Sequence, residues 1–320
     1  MAYGNTSFDE ILTTTLKNYV PRLTDNIFSA RPLFYALTNV QTIRRIGGGA
    51  KIVVPVLGKT NPTAASYAGT GLINVNESDG MTAAEFDWKQ YAVTVTISGI
   101  EEAKNSGEEQ IIDLLEGKIF QAQESVIQNM NSMLFGAASG NDWNGIQDVV
   151  GTSNTFGGID SSDGDNAWWR STVNDHAEAN LSLNAMGSLY NSISEGNDQP
   201  TLIITSQLGY EAYEALLTNN VRYTDTDMAN SGFQNLMFKG APVVFDDDIP
   251  AGTTAGSGRM YMLNTKYIQL VAHSDVWFKP TPFVRPTNQD AVFSQILCYG
   301  QLTASNRKRQ GLLDDIGDAA

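Results

Sequence analysis

The residues able to do chemistry are few. Two histidines, His176 and His273, are the whole supply of imidazole, and neither belongs to an H-x-x-x-H pair. One cysteine, Cys298, excludes every zinc pattern that needs two or more thiolates. A Cys298 nucleophile served by His176 or His273 is conceivable on residue type. Its alternation with Ile296 and Val292, however, favours a small buried side chain in a strand. Gly58-Lys59-Thr60 resembles the end of a phosphate-binding loop. The first glycine of that motif would fall on Val53, and Asn61-Pro62 stands where a helix should begin. Asp246-Asp247-Asp248 closes the apolar run Ala241 to Phe245, so three carboxylates at a strand end could gather a hard cation and support a metal-dependent hydrolase. A strand end before Ile249-Pro250 is equally an ordinary place for solvated aspartates, and that reading is preferred. Neither a metal, a cofactor nor a catalytic residue is therefore assigned, and no enzymatic activity is expected.

Composition bounds what remains. The chain has 320 residues, 42% of them hydrophobic, enough for a sizeable core in one large or two ordinary domains. Twenty basic against 35 acidic residues leave a net charge of -15, which opposes general binding to a polyanion. Apolar runs such as Ile52 to Leu57 are far below the roughly 20 residues that span a bilayer, and no cationic stretch precedes an apolar one at the N-terminus, so neither a membrane nor a secretory route is expected. A single cysteine cannot make an internal disulfide, as suits a reducing cytoplasm. Without a secretion signal, the acceptor patterns at Asn5, Asn76 and Asn180 are chance matches.

The elements come in a definite order. Phe8, Ile11, Leu12, Leu16 and Tyr19 predict an amphipathic helix closed by Pro21. Scattered apolar residues follow up to Ile46, then a glycine joint at Gly47-Gly48-Gly49. Lys51 to Leu57 predicts one strand and Glu85 to Ile97 a longer one, in which Tyr91, Val93, Val95 and Ile97 alternate with small or polar residues. The intervening 27 residues are rich in Gly, Ala, Ser, Thr and Asn. A hairpin with limbs of about 20 residues would reach on the order of 65 Å and could not bury its apolar face on its own chain. The longest helical stripe, Leu115, Ile119, Ala122, Val126, Met130 and Met133, predicts a helix from Glu108 to Phe135, about 42 Å at 1.5 Å per residue. Residues 136–175 are a loop region anchored by Trp143, Trp168 and Trp169, whose preferred role is packing rather than lining a ligand groove. Helices at 183–193 and 207–217, the second capped by Ser206, alternate with a strand at 201–205, and further strands follow at 241–245, 260–263, 267–272 and 290–302. The class is α+β.

This order resembles the major capsid proteins of tailed bacteriophages, the Hong Kong 97-like fold, over nearly the whole chain. The resemblance is carried by Phe238-Lys239-Gly240-Ala241-Pro242-Val243-Val244-Phe245 running into Asp246-Asp247-Asp248-Ile249-Pro250, by Met260 to Tyr267, and by Tyr299-Gly300-Gln301-Leu302 with the basic run Asn306 to Gly311. It implies an N-terminal arm over 1–47 and an extended hairpin loop over 48–99. A spine helix over 100–136 would follow, then an axial domain over 137–258, with return strands of a peripheral domain and a tail over 259–320. It implies no active site. The subunit would assemble into the pentamers and hexamers of an icosahedral shell around double-stranded DNA, in the virion of a phage assembled in a bacterial cytoplasm. A scaffolding protein, a portal and decoration proteins would be partners. Because the arm-like helix begins almost at Met1, a separate scaffolding protein is expected. Some members join a loop lysine to an asparagine; Lys59 is a loop lysine, but no asparagine or glutamate aligns with that role, so a shell without crosslinks is preferred. An encapsulin-like compartment is the alternative with the same architecture.

The resemblance also gives the charge a reason, since an acidic wall does not hold packaged DNA. Residues 1–46 depart from it, with five basic against three acidic residues and a net of +2, which leaves -17 for the remainder. Expected interface residues are Phe8, Leu12 and Leu16 of the arm, Arg44, Arg45 and Lys51 against acidic surface such as a neighbour's spine helix, and Tyr91, Val93 and Val95 of the long hairpin.

Overall fold

A computed structural model describes residues 31–39, 43–77, 80–104, 108–217 and 236–317. The helix expected around Phe8, Leu12 and Leu16 lies outside them. The described chain opens with helix α1 (Pro32–Asn39), whose Leu33, Phe34, Ala36 and Leu37 are buried in the main core. Strand β1 (Arg44–Ile46) follows, then the hairpin β2 (Ile52–Leu57) and β3 (Met81–Phe86), then β4 (Lys89–Ser98). A short α2 (Gly99–Lys104) leads to the long α3 (Glu108–Phe135), with the bounds its stripe predicts. Ile119, Ala122, Val126, Met130 and Leu134 form its buried line, and Gly117 does not interrupt it.

After the single turn α4 (Ile146–Val149) come the two-residue strands β5 (Thr155–Phe156) and β6 (Ile159–Asp160), a 3₁₀ turn at Gly164–Trp169 and β7 (Thr172–Asp175). Two helices flank β8 (Leu202–Thr205): α5 (Leu183–Ile193) and α6 (Gln207–Leu216). Ser182 and Ser206 cap them by accepting the backbone N–H of Ala185 and Gly209. The remaining strands are β9 (Leu236–Phe238), β10 (Ala241–Phe245), β11 (Gly258–Leu263), β12 (Ile268–His273), β13 (Lys279–Pro280), β14 (Ala291–Ala304) and β15 (Gly311–Ile316).

Two sheets divide the molecule, and they do not follow consecutive stretches of chain. One has the order β1-β12-β14-β13, with β4 also antiparallel to β14 along ten residue pairs from Ala291↔Ser98 to Gly300↔Lys89. The other has the order β7-β15-β11-β8-β10-β9. In β8 the period-2 alternation sends Leu202 and Ile204 to the main core and Ile203 to a second core beneath α5 and α6. Residues buried on both faces explain why this strand is a continuous apolar run.

Four expectations are corrected by this topology. The segment 259–320 does not return to one sheet: β11 and β15 lie in the six-stranded sheet, β12 to β14 in the other. Within the expected arm, Pro32–Asn39 and Arg44–Ile46 are not free, because α1 packs in the core and β1 pairs parallel with β12. Glu85 to Ile97 is not one strand; it breaks at Asp87-Trp88 between β3 and β4. The closing basic run, expected as a basic tail, is part of the folded body, since Arg307 and Arg309 are buried and β15 beyond them is buried throughout.

Candidate functional site

The hairpin pairs Ile52↔Phe86 through Leu57↔Met81, six residues on each limb, so its ladder is about 20 Å long rather than 65 Å. The expectation that it could not bury an apolar face on its own chain is also corrected. Ile52, Val54, Val56, Ala84 and Phe86 are buried against the main core, with the edge of Phe86 meeting Phe156 at 5.0 Å between ring centroids. The opposite face and the connecting loop are what remain uncovered. Val53, Leu57, Tyr67, Ile73 and Met81 are exposed, Leu72 is 99% and Val75 89% exposed, and Leu57 and Met81 form an exposed cross-strand pair. Apolar side chains so disposed are an interaction surface in the making. Sequence periodicity missed the loop residues Tyr67, Leu72, Ile73 and Val75 because they sit, without a regular repeat, among Gly, Thr and Asn.

The expected interface residues fall in different places, and some fall outside the described residues. Phe8, Leu12 and Leu16 lie outside the described residues. Arg44 and Arg45 are exposed on β1. Lys51 is exposed at the hairpin base, where its Nζ donates to Glu85 Oε2 at 2.9 Å within its own chain. An exposed pair of this kind adds little stability. Tyr91, Val93 and Val95 are corrected: β4 pairs with β14, and these side chains turn into the core, Val95 fully buried and the other two packed at its edge. Burial, opposed by a hydrogen bond with Asn129, holds the Tyr91 hydroxyl above its ordinary pKa.

Asp246 to Asp248 are not the solvated turn expected at a strand end. Asp246 is buried, Asp248 half-buried and Asp247 exposed. Asn131 Nδ2 of α3 donates to Asp246 Oδ1 at 2.8 Å and to Asp248 Oδ2 at 2.5 Å. Arg31 approaches the same two carboxylates at 3.9 and 3.6 Å. The triplet therefore ties the long helix and the segment before α1 to the end of β10. Among the described residues no group of three or more His, Cys, Asp or Glu side chains gathers as a metal would need. Cys298 is buried and its thiol pushed up by that burial, as its alternation in β14 implies. His176 Nε2 lies 2.9 Å from the Asn180 carbonyl oxygen, and His273 packs edgewise on Trp88. Gly58-Lys59-Thr60 ends a strand with no helix after it, so it lacks the amide cradle of a phosphate loop.

The strongest carboxylate network lies in β15. Arg259 Nε donates to Asp314 Oδ1 at 2.7 Å, and the Thr253 hydroxyl donates to Oδ2 at 2.8 Å. Burial alone would raise the Asp314 pKa, but these donors outweigh it and leave the carboxyl below its ordinary range. Asp315 is lowered by the Thr254 backbone N–H and the Ser257 hydroxyl. Asp246 is shifted the other way, raised by burial against the donors around it. The stability from Asp314 is present above the unfolded carboxylate pKa, about 3.9, and is lost as pH falls through the lower folded value. Asp314→Asn is thus expected to lower the thermal midpoint at pH 7, with the deficit shrinking below about pH 4. A pH-independent deficit in calorimetry would contradict this account.

No helix among the described residues is long and apolar enough to cross a membrane. No family model matches the sequence, and no curated protein matches it. Solved structures do. The chain is similar to the capsid asymmetric unit of cyanophage A-1(L), with a TM-score of 0.67 and 19% identity over 89% of this chain and 92% of that one. It is also similar to the capsid of a native GTA particle, with a TM-score of 0.61 and 11% identity over 88% and 90% of the two chains. The SrpI encapsulin of Synechococcus elongatus PCC 7942 follows with a TM-score of 0.55 and 9% identity over 87% of each. These likenesses extend over most of the chain, and its fold is the Hong Kong 97-like capsid fold.

Proposed function

We propose that the chain is the major capsid protein of a tailed phage, a subunit that assembles with copies of itself into the pentamers and hexamers of an icosahedral shell around double-stranded DNA. The observation that carries this reading is the hairpin: a capsid-type body that buries one face of β2–β3 and leaves the other face and its apolar loop without cover. A second copy is the natural cover, since exposed apolar surface of this kind is stabilised by burial. In this reading α3 is the spine, β2–β3 with residues 58–80 the extended loop, the five-stranded sheet the peripheral domain and the six-stranded sheet the axial domain. Arg44 and Arg45, exposed at a sheet edge in an acidic protein, would meet acidic surface of a sibling. Scaffolding, portal and decoration proteins and the packaged genome are the further partners it implies, and the virion, assembled in the bacterial cytoplasm, its location.

The similarity to an encapsulin supports a second reading, a cellular compartment with the same architecture. Electron microscopy of the expressed protein, with and without the products of neighbouring genes, is expected to show closed isometric particles. Monodisperse single chains at high concentration, under all those conditions, would reject both readings. Particles from the native source that hold viral DNA support the capsid, and particles that hold a cargo enzyme support the compartment.

A further inference from the structure

The hairpin has an unusual mechanical problem. Among the described residues no third strand pairs with β2–β3, so no ladder fixes its direction. It is joined to β1 by Gly47-Gly48-Gly49, where Gly48 and Gly49 have φ of +135° and +121°, a joint with little steric resistance to rotation. Something else must hold the ribbon.

Its buried face packs on the main core along the ladder, and two further contacts pin it, one at each end. At the inner end the Glu85 backbone N–H donates to the Gly157 carbonyl at 2.9 Å, and Phe86 meets Phe156 edge to face. Gly157 has φ +61°, and a Cβ there would stand 2.8 Å from both Ala84 Cβ and Phe86 Cζ, so the β5–β6 turn fits the hairpin only as glycine. At the outer end a Cβ on Gly58 would lie 2.5 Å from the Trp168 ring. The indole of Trp168 therefore lies flush against the hairpin backbone just beyond Leu57. Glu85 and Ala84 pair with Val53 and Val54, so the two points are separated by four to five ladder residues, about 13–17 Å. The outer one is braced behind: Trp168 packs on Trp169 at 5.4 Å, and Trp169 Nε1 donates to the Phe156 carbonyl at 3.0 Å.

We propose that Phe156, Gly157 and Trp168 form a two-point socket that sets the angle of the hairpin to the body, with Trp168 as the positioning residue for the hairpin's contact with a second copy. The inference rests on the shell reading for its consequence, but the angle itself is a property of the single chain. Apolar packing of one face is non-directional and lets a ribbon rock, whereas a close fit at each end resists that rocking. Small angular errors at the base become displacements of the exposed Leu72 and Val75, so the socket governs how uniformly subunits meet.

The test measures the isolated chain first. Nitroxide labels at Thr70→Cys and Lys279→Cys, both exposed positions, report the hairpin-to-body distance by pulsed dipolar spectroscopy, and Cys298 is buried away from the label. Trp168→Ala is expected to broaden the distance distribution at least twofold, and Trp168→Phe to restore most of the wild-type width. Gly58→Val, which acts from the hairpin side, is expected to shift the mean. Widths and means unchanged in both Trp168→Ala and Gly58→Val would overturn the socket, whatever the shells do. If Trp168→Ala fails to fold, the Gly58→Val shift decides alone. Assembly is then compared: Trp168→Ala should give particles of mixed diameter where the wild type gives one size, and uniform wild-type-sized particles from a chain with a broadened distribution would overturn the link between angle and assembly. A wild type that makes no particles while Trp168→Ala still broadens the distribution would reject the shell reading and leave the socket standing.

Discussion

Replacing Arg307 with methionine is expected to destabilise the chain by about 3–5 kcal/mol, although the change removes a buried charge. Arg307 is fully buried. Its Nε donates to the Val149 carbonyl at 2.7 Å, and its Nη2 lies 3.1 Å from the Asp148 carbonyl, 3.2 Å from that of Gly151 and 2.5 Å from Asn154 Oδ1. The guanidinium also stands over the rings of Phe156 and Trp169 at 5.2 and 5.8 Å. Burial, opposed by the charge of Asp148, pulls its pKa down to about 10, so it stays protonated at neutral pH. Substituting an apolar residue for a buried ion pair can be neutral when both partners leave together. Here the acceptors cannot leave: the carbonyls of Asp148, Val149 and Gly151 keep one other donor each, from Asn154 Nδ2, the Ser171 hydroxyl and the Ser171 N–H, but methionine removes all four charge-assisted bonds and takes from the Asn154 side-chain oxygen its guanidinium donor. Lysine keeps the charge but lacks the planar fork that reaches several carbonyls, so Arg307→Lys should recover less than half of the loss. Urea denaturation at pH 7 checks this; a methionine variant within about 1 kcal/mol of wild type would show that the clasp is dispensable.

Arg307 also shows where the sequence was illegible. A run of Arg307-Lys308-Arg309 looks like a solvated tail because composition carries no information about which carbonyls a chain will meet. In the structure Lys308 alone is exposed, while Arg309 reaches the Ile193 carbonyl and pairs with Glu195. Strand β15 was hidden for a related reason: Asp314 and Asp315 interrupt its apolar pattern, and their donors, Arg259, Thr253 and Ser257, are remote in sequence. Local periodicity, by contrast, was a sound guide wherever a long element had one buried face. The stripe of α3, the alternation of β14 around Cys298 and the serine-capped helices α5 and α6 were all legible.

The break between β3 and β4 was legible in principle. Ala84 and Phe86 are buried at even positions, whereas Tyr91, Val93, Val95 and Ile97 face inward at odd ones. A single strand cannot change parity without an irregularity. The change at Asp87-Trp88 is where the chain leaves a ribbon that docks on the β5–β6 turn and enters a sheet that packs on α3. The uncovered loop beyond the ribbon could not be found in this way, because its apolar residues have no period and their exposure is a property of the fold.

Those residues give the largest expected effect on assembly. The double substitution Leu72→Asp with Val75→Asp should leave the folded chain within about 0.5 kcal/mol of wild type, since both side chains are almost wholly exposed. In a shell each would bury an apolar side chain worth about 1.5–3 kcal/mol. Roughly half of that gain is offset by ordering the loop, leaving about 1.5–3 kcal/mol per subunit for the pair. At about 1.4 kcal/mol per factor of ten, the subunit concentration needed for assembly should rise about 10- to 150-fold, and an aspartate forced into an apolar contact can only increase that. The apolar pair Leu72→Met with Val75→Ile keeps the surface and should assemble near the wild-type concentration. Light scattering across a concentration series, with circular dichroism as the control for folding, separates the two outcomes. Assembly of the double-aspartate chain at the wild-type concentration would mean that the exposed loop is not covered by a second copy, and the central contact of the proposed shell would have to be sought on another surface.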